Sequence, residues 1–208
     1  SGTSVTVTLG NGNNDVTFGD GVGGKGNTDV ITSIILGTGS NVVREENVDV
    51  TTGGAVARNG YAVVSNFDAG VGGDAFGFSA HANSFLSAAN FIKQAGTGVA
   101  IATSAARKLI VLNDAAAAGF GVTANDENQI VNDFKAWTAL GATTWDNALV
   151  AQDSDSVVAV NGNDGNTYLF RLDNLDAVGG IAAADAVELV AVLNNVNAAN
   201  LVLNNFVF

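Results

Sequence analysis

The chain has 208 residues, of which 47% are hydrophobic, so it can bury a substantial core and is too apolar for a disordered acidic tail. Its 8 Lys and Arg residues stand against 20 Asp and Glu residues, which gives a net charge of −12. This balance argues against nucleic acid and anionic membranes as partners, because both require a basic face, whereas it suits divalent cations. The absence of Cys excludes disulfides and thiolate metal sites.

The composition also indicates a β-rich protein with many turns. The chain contains 26 Gly, 25 Asn and 33 Ala residues. Gly and Asn tolerate positive φ and favour turns, so their abundance predicts tight turns between short strands. No apolar run approaches the roughly 20 residues of a membrane span, and the N-terminal residues do not form a Sec-type signal. Because the chain begins at Ser1 rather than Met, we expect a fragment or a processed product of an extracellular protein.

Residues 1–60 repeat a short strand followed by a Gly- and Asn-rich turn. Leu9-Gly10-Asn11-Gly12 and Phe18-Gly19-Asp20-Gly21 are nine residues apart, and Leu36-Gly37-Thr38-Gly39 lies two further nine-residue steps along the chain. This period is typical of a short parallel β-roll or β-helix, whose turns can bind Ca²⁺ through carbonyl and carboxylate oxygens. Plain structural turns are the alternative, since Gly-Asn and Asp-Gly turns occur in any β-protein. The candidate ligands in this part are Asp15, Asp20 and Asp29.

A second Gly-rich turn matches the calcium-binding pattern without a gap. Residues 70–76 fit G-x-G-x-D-x-U, where U is apolar, and they lie between two apolar segments that are typical of strands. Asp68 and Asp74 are therefore further candidate ligands. The alternative interpretation is a structural hairpin turn in which Asp74 faces the solvent.

Residues 61–208 are interpreted as a β-rich C-terminal domain with short helices. One helix is predicted over 84–95, where apolar residues share a face, and a second over 126–140, with Asn125 as its N-cap. The turn 161–166 contains Asp164, which is also a candidate calcium ligand. The predicted strands are 108–112, a hairpin formed by 156–160 and 167–170, 186–193 and 201–208.

The sequence contains no pattern that points to an active site. His81 is the one histidine, which makes an H-E-x-x-H zinc site impossible, and no G-x-S-x-G motif occurs. The carboxylate pairs Asp153/Asp155 and Asp173/Asp176 lie in turns without apolar surroundings that would raise a pKa. We therefore assign no catalytic residue and expect that the chain is not an enzyme.

Several ordered segments resemble one class of exported protein. Residues 66–79 look like the "xxFDxGxGxDxxxFS" element near the C-termini of RTX-type proteins secreted by type I systems. The segments 165–170, 184–189 and 205–208 are also similar to their C-terminal ends. Together with the Ala-rich stretch 113–118, the order of these pieces resembles the C-terminal region of RTX-type bacterial S-layer proteins. The resemblance implies a calcium-dependent extracellular protein whose uncleaved export signal includes Phe206, Val207 and Phe208.

The expected function is that of a structural protein that self-assembles into a surface array and is exported by a type I secretion system. Ca²⁺ would bridge the acidic subunits, and the expected partners are further copies of the chain and cell-surface polysaccharide. The first alternative is the secretion and folding module of an RTX hydrolase, toxin or adhesin whose active part lies upstream. The second is a glycan-binding β-module, which would need exposed aromatic residues from the set Tyr61, Trp137, Trp145 and Tyr168.

Overall fold

The computed structural model describes residues 4–19, 30–46, 60–78, 91–95, 109–113, 120–124, 126–139, 156–173 and 186–208. These residues are mainly β and form two sheets and one α-helix, as the composition predicts. The strands are β1 (Ser4–Thr8), β2 (Asp15–Gly19), β3 (Val30–Ile35), β4 (Val42–Glu46), β5 (Gly60–Ser65), β6 (Ala75–Gly77), β7 (Phe91–Ala95), β8 (Leu109–Asn113), β9 (Ser156–Asn161), β10 (Thr167–Asp173), β11 (Ala186–Leu193) and β12 (Phe206–Val207), and the helix is α1 (Glu127–Ala139).

The larger sheet has eight strands in the order β1-β3-β5-β11-β10-β9-β8-β7. All neighbours pair in parallel except β10, which is antiparallel to both β9 and β11. The carboxyl ends of seven strands therefore lie along one edge of this sheet. The smaller sheet has the order β12-β6-β4-β2, and all of its pairs are parallel.

Four strand–turn–strand units contribute one strand to each sheet. We call them the first unit (4–19, β1 and β2), the second unit (30–46, β3 and β4), the third unit (60–77, β5 and β6) and the fourth unit (186–207, β11 and β12). Ser4 pairs with Ile31 and Asp15 with Val42, so the first two units are offset by 27 residues. The nine-residue step is therefore not the structural repeat, because nine residues supply only one strand and one turn.

A core of alternating apolar side chains fills the space between the two sheets. The larger sheet contributes Ile34, Val64 and Leu193, all at most 1% exposed. The smaller sheet contributes a row of phenylalanines, in which the Phe76 and Phe78 ring centroids are 5.2 Å apart. Because successive side chains of a strand point to opposite faces, these side chains face the space between the sheets and their strand neighbours lie on the opposite face. Residues 5–9 show this alternation in the sequence.

The other face of the larger sheet packs against α1. Phe134 of the helix stacks on Phe170 of β10 at 4.1 Å between ring centroids, and Ile130 is 2% exposed in the same cluster. The helix predicted over 126–140 is confirmed. The Oδ1 atom of Asp126 accepts a hydrogen bond from the Gln129 N–H at 3.1 Å, so Asp126 caps the helix. The predicted cap, Asn125, lies outside the described residues.

Two predicted elements differ from the structure. The helix predicted over 84–95 is wrong for residues 91–95, which form β7 and pair in parallel with β8; residues 84–90 lie outside the described part of the chain. Lys93 holds this strand in place by donating to the carbonyls of Ala199 at 2.6 Å and Leu201 at 2.9 Å. The strand predicted over 201–208 is reduced to Phe206–Val207, because a 3₁₀ turn at Leu203–Asn205 precedes it.

The remaining predicted strands are confirmed, including the antiparallel hairpin of β9 and β10. The domain boundary predicted between residues 60 and 61 falls within β5 (Gly60–Ser65), which pairs with β3 on one side and β11 on the other, and the division into two domains stays a prediction. None of the described helical residues forms a helix long and apolar enough to cross a membrane.

Candidate functional site

The Gly-rich turns of the first three units stack on one another at the edge where the parallel strands end. They share the spacing G-x-G-x-N/D, at residues 10–14, 37–41 and 70–74. A Cβ atom at Gly37 would collide with the carbonyl oxygen of Gly10, and Gly39 has a φ of +113°. Glycine at these two positions therefore allows the turns to approach closely. We call this column of turns the turn stack.

Side-chain amides connect the turns of the turn stack in a ladder. The Oδ1 atom of Asn41 accepts hydrogen bonds from the Asn14 Nδ2 at 2.8 Å and the Asn14 N–H at 3.2 Å. In the next step, Oδ1 of Asp74 accepts from the Asn41 Nδ2 at 2.9 Å and the Asn41 N–H at 2.7 Å. The same interaction thus repeats at offsets of 27 and 33 residues.

The two asparagines of the ladder also fill the centres of their own turns. Asn14 Nδ2 donates to the carbonyls of Gly10 at 2.9 Å and Gly12 at 2.8 Å. Asn41 Nδ2 donates to the carbonyls of Gly37 and Gly39, both at 3.2 Å. These are the carbonyls that the sequence predicts to converge on a cation. In the structure an amide N–H occupies that position, so a cation would have to displace it.

Asp74 ends the ladder as a buried carboxylate that is 1% exposed. Its Oδ1 atom accepts from Asn41, and its Oδ2 atom accepts from the Asp68 N–H at 2.8 Å. Both oxygens therefore have N–H donors, which offset the cost of burying the charge. The alternative in which Asp74 faces the solvent is wrong. Asp68 itself is exposed, and its carbonyl accepts from the Asp74 N–H at 2.7 Å.

Asn205 fixes the third turn from the far end of the chain. Its Oδ1 accepts from the Gly70 N–H at 2.9 Å, and its Nδ2 donates to the carbonyls of Gly70 at 3.1 Å and Asp74 at 2.7 Å. The same Oδ1 accepts from the Val202 N–H at 3.0 Å and so shapes the 3₁₀ turn. Asn205 is 1% exposed, so these four contacts are shielded from water.

Asparagines continue the same edge across the fourth unit and the β9–β10 hairpin. The Asn195 N–H donates to Asn166 Oδ1 at 2.9 Å, and the Ala198 N–H donates to Asn161 Oδ1 at 2.8 Å. Asn194 Nδ2 donates to Ser65 Oγ at 3.0 Å and links this part to the third unit. The abundance of Asn is thus explained by a structural role, in which short amide side chains bond the backbone of neighbouring turns.

Asp164 lies in the hairpin turn and is also engaged by protein donors. Its Oδ2 atom accepts from the Tyr168 hydroxyl and the Asn166 Nδ2, both at 2.7 Å, and its Oδ1 accepts from the Asn166 N–H at 3.2 Å. Burial raises the pKa of Tyr168, and the hydrogen bond to the Asp164 carboxylate raises it further. Asp164 remains exposed to the solvent.

Asp15 is the one candidate ligand that forms an ion pair in the described part of the chain. Both of its carboxylate oxygens lie 3.0 Å from the Arg44 Nε on the outer face of the smaller sheet. The Asp15 side chain is 56% exposed and that of Arg44 is 36% exposed, so the pair contributes at most about 1 kcal/mol to stability.

The structure does not bring the predicted calcium ligands together. Within the described ranges no three acidic or histidine side chains form a group that could hold a metal ion. Asp68 and Asp74 share a turn, whereas Asp15 and Asp164 lie elsewhere, and Asp20 and Asp29 lie outside the described residues. Calcium binding therefore stays a prediction. His81, Asp153, Asp155 and Asp176 also lie outside the described part of the chain.

The predicted export signal is built into the fold. Phe206 is 5% exposed and stacks on Phe78 at 6.1 Å between ring centroids, while Phe208 is 38% exposed. Of the aromatics considered for glycan binding, Tyr61 is 4% exposed and Tyr168 is 2% exposed, so both belong to the core. Trp137 is half-buried near Phe134 on α1, and Trp145 lies outside the described residues.

The sequence interpretation missed Asn41 and Asn205, which bond the turns, and Arg44, which pairs with Asp15 between β4 and β2. One signal for the ladder is present in the sequence: Leu9-Gly10-x-Gly12-x-Asn14 recurs as Leu36-Gly37-x-Gly39-x-Asn41, 27 residues later.

No protein-family model matches the chain, and no curated protein or solved structure matches it significantly.

Proposed function

We propose that this chain is an extracellular structural protein, similar to S-layer proteins, that self-assembles into a surface array in a Ca²⁺-dependent manner after export by a type I secretion system. The observation that carries the proposal is the turn stack, in which Gly- and Asn-rich turns repeat in register and connect parallel strands of the two sheets. A repeating unit of this kind supports an extended structural role, since each unit contacts only its neighbours.

The finer fold assignment belongs to the same proposal. We infer that the first three units form a short β-roll-like solenoid on which the rest of the chain is built. Two findings support this assignment: both sheets are parallel through β1, β3, β5 and through β2, β4, β6, and the turns between them bond to one another. The RTX resemblance of residues 66–79 supports it independently, because those residues contain the third turn.

Calcium would act at the carboxylates that remain open to the solvent. Asp15, Asp68 and Asp164 are exposed, whereas the oxygens of Asp74 accept N–H donors inside the fold. A chain with a net charge of −12 repels its own copies, and a divalent cation held between exposed carboxylates of two copies offsets that repulsion. Cell-surface polysaccharide remains the proposed anchor of the array.

Electron microscopy of the purified chain tests the proposal. Ordered sheets or tubes are expected with millimolar Ca²⁺, and they should disappear after chelation and return when Ca²⁺ is restored. Mg²⁺ at the same concentration is the control, because it demands a smaller and stricter coordination geometry. Arrays that persist in excess chelator would contradict the calcium dependence. A monomer in every condition would contradict self-assembly and favour the secretion-module alternative.

A further inference from the structure

Among the described residues, no element beyond the first unit covers its end of the core between the two sheets. β1 is the edge strand of the larger sheet and β2 is the edge strand of the smaller sheet. Val7 pairs beside the fully buried Ile34, so Val5 and Val7 face the space between the sheets, yet Val5 is 47% exposed. Leu9 and Val16 are also only partly buried against this core. Solenoid ends normally need a polar cap, and the described part of the first unit presents apolar side chains instead.

The ladder stops at the same end. Asn41 Oδ1 accepts from the Asn14 N–H, and Asp74 Oδ1 accepts from the Asn41 N–H. Among the described residues, no donor reaches the Oδ1 atom of Asn14, which is the equivalent acceptor in the first unit. One surface thus contains the Oδ1 acceptor of Asn14, the edges of β1 and β2, and the end of the apolar core between the sheets. We call this surface the first-unit end.

The other strand edges carry features that prevent pairing, and β1 does not. β7 carries Lys93, whose ammonium bonds two carbonyls of the C-terminal segment, and β12 is only two residues long. β2 begins at Asp15, which is held by Arg44. Charged side chains and short length are the usual protection of edge strands. β1 has the sequence SVTVT, without charge, Pro or bulge, and pairs regularly with β3 over five residues.

We propose that the first-unit end docks against the first-unit end of a second copy of this chain, with strand pairing across β1. The electrostatics favour this occupant, because residues 4–14 contain no charged residue although the chain carries −12. Asp15 is the one carboxylate in the first unit, and it is paired with Arg44, so two identical copies can meet here without opposing unpaired carboxylates. A head-to-tail contact would have to pair β1 with β7, the opposite edge strand of the larger sheet, and Lys93, which bonds the carbonyls of Ala199 and Leu201, protects that edge. The contact is therefore isologous and closes as a pair.

This inference rests on the proposed function only in that both require copies to associate. The pair needs no calcium, since no carboxylate of residues 4–14 takes part. The array of the proposed function needs calcium and further contacts, because an isologous contact alone does not propagate. Association in chelator and array formation in Ca²⁺ therefore report on the two ideas separately.

Sedimentation equilibrium in chelator, over a wide range of protein concentration, measures the pairing. The wild-type chain is expected to populate a dimer. Val5→Lys places a charge on the first-unit end and should weaken the association roughly tenfold or more, since the ammonium would lose its water in the contact. Val71→Lys is the matched control, because Val71 is 84% exposed in the third turn, away from that end. Its association should equal that of the wild type.

Thr6→Pro is a second variant that acts on the backbone rather than on charge. The Leu9 N–H bonds the Ile35 carbonyl in β3, so alternation along the strand turns the Thr6 N–H toward the open edge. Proline at position 6 removes a hydrogen-bond donor to the second copy and leaves the hydrogen bonds between β1 and β3 intact. Circular dichroism checks that the Val5→Lys and Thr6→Pro variants are folded. A wild-type chain that is monomeric at every concentration would overturn the inference. Variants at Val5 and Thr6 that dimerise like the wild type would overturn it as well.

If arrays form in Ca²⁺ from the Val5→Lys chain as readily as from the wild type, the first-unit end is not an assembly contact although the proposed function stands. If the wild-type dimer forms in chelator but no array forms in Ca²⁺, the inference stands and the proposed function fails.

Discussion

Asn41 is the residue whose replacement tests the turn stack most directly. Its side chain makes five hydrogen bonds, three of which share the two hydrogens of Nδ2. Nδ2 donates to the carbonyls of Gly37 and Gly39 and to Asp74 Oδ1, and Oδ1 accepts from the N–H and Nδ2 of Asn14. Asn41 is 1% exposed, so water cannot replace these partners without opening the turn. In Asn41→Ala all five bonds are lost together with the side-chain volume.

The expected loss of stability in Asn41→Ala depends on which hydrogen-bonding partners of Asn41 stay satisfied. Each neutral hydrogen bond is worth about 1 kcal/mol net, and a bond to a carboxylate about 1.5–3 kcal/mol. Asp74 keeps the N–H groups of Asn41 and Asp68, and Asn14 is half-buried and open to partial hydration, so the contributions do not add fully. We expect Asn41→Ala to lower the free energy of unfolding by about 3 kcal/mol.

Asn41→Asp keeps the shape of the side chain and replaces its donors by carboxylate oxygens. Oxygen would then face the Asp74 carboxylate, which the amide contacts at 2.9 Å, and the two glycine carbonyls. We expect this variant to be less stable than Asn41→Ala at neutral pH, because an uncompensated charge is buried beside a like charge. The matched control is Asn13→Asp in the turn of the first unit, where the exposed side chain only accepts, from the Ser40 N–H at 3.0 Å.

Urea unfolding in chelator, followed by far-UV circular dichroism and tryptophan fluorescence, measures these differences. Asn13→Asp should stay within about 0.5 kcal/mol of the wild type. If Asn41→Asp were as stable as Asn13→Asp, the amide ladder would not carry the stacking of the turns. If Ca²⁺ raised the stability of Asn41→Asp above that of the wild type, the second turn would be a cation site. Should Asn41→Asp not fold, Asn14→Asp supplies the milder test, since Asn14 is only half-buried.

Three further changes probe the helix layer and the hairpin. Asp126→Ala removes the cap of α1 and should cost about 1 kcal/mol by urea unfolding, whereas Asp126→Asn should cost less because it keeps an acceptor. Phe134→Ala, between Phe120 and Phe170, should cost about 3–5 kcal/mol through the cavity it leaves; a loss below 1 kcal/mol would mean that the helix layer adds little. Burial and Asp164 raise the pKa of Tyr168, so the folded chain keeps a proton that the unfolded chain loses above about pH 10. Stability should therefore fall as the pH rises past this value, and less steeply in Tyr168→Phe.

Local patterns predicted the elements that local contacts determine. α1 follows from the spacing of Ile130, Phe134 and Trp137, and the β9–β10 hairpin follows from two alternating segments around an Asn/Gly/Asp turn. The helix prediction is wrong for residues 91–95 because contacts with distant parts of the chain determine their structure. Their apolar spacing fits a helix face, but the pairing with β8 and the contact of Phe91 with Phe206 are made by distant parts of the chain, and these decide the structure.

The candidate site was predictable in its position but not in its chemistry. The G-x-G-x-D pattern located the third turn correctly, and the same glycine spacing located the first two. Whether such a turn holds a cation or an amide depends on the side chains that bond it from a neighbouring turn or segment. These partners are distant in sequence: Asn41 lies 27 residues from Asn14, and Asn205 lies 131 residues from Asp74. No window of local sequence contains both partners of these contacts, so the local G-x-G-x-D pattern led to calcium binding, which stays a prediction, and not to the amide ladder.

The turn stack also limits how calcium can act in the described part of the chain. The inner carbonyls of the first two turns accept amide N–H groups, and Asp74 is satisfied by three N–H groups, so these turns are complete without an ion. Exposed carboxylates remain, and under the proposed function they would bind a shared cation only where a second copy supplies further oxygen ligands. Calcium should therefore raise the association of copies more than the stability of one copy. Thermal unfolding of the Val5→Lys chain, with and without Ca²⁺ at low protein concentration, checks this: a large increase in its midpoint would show that calcium binds within a single copy, contrary to the argument from the ladder.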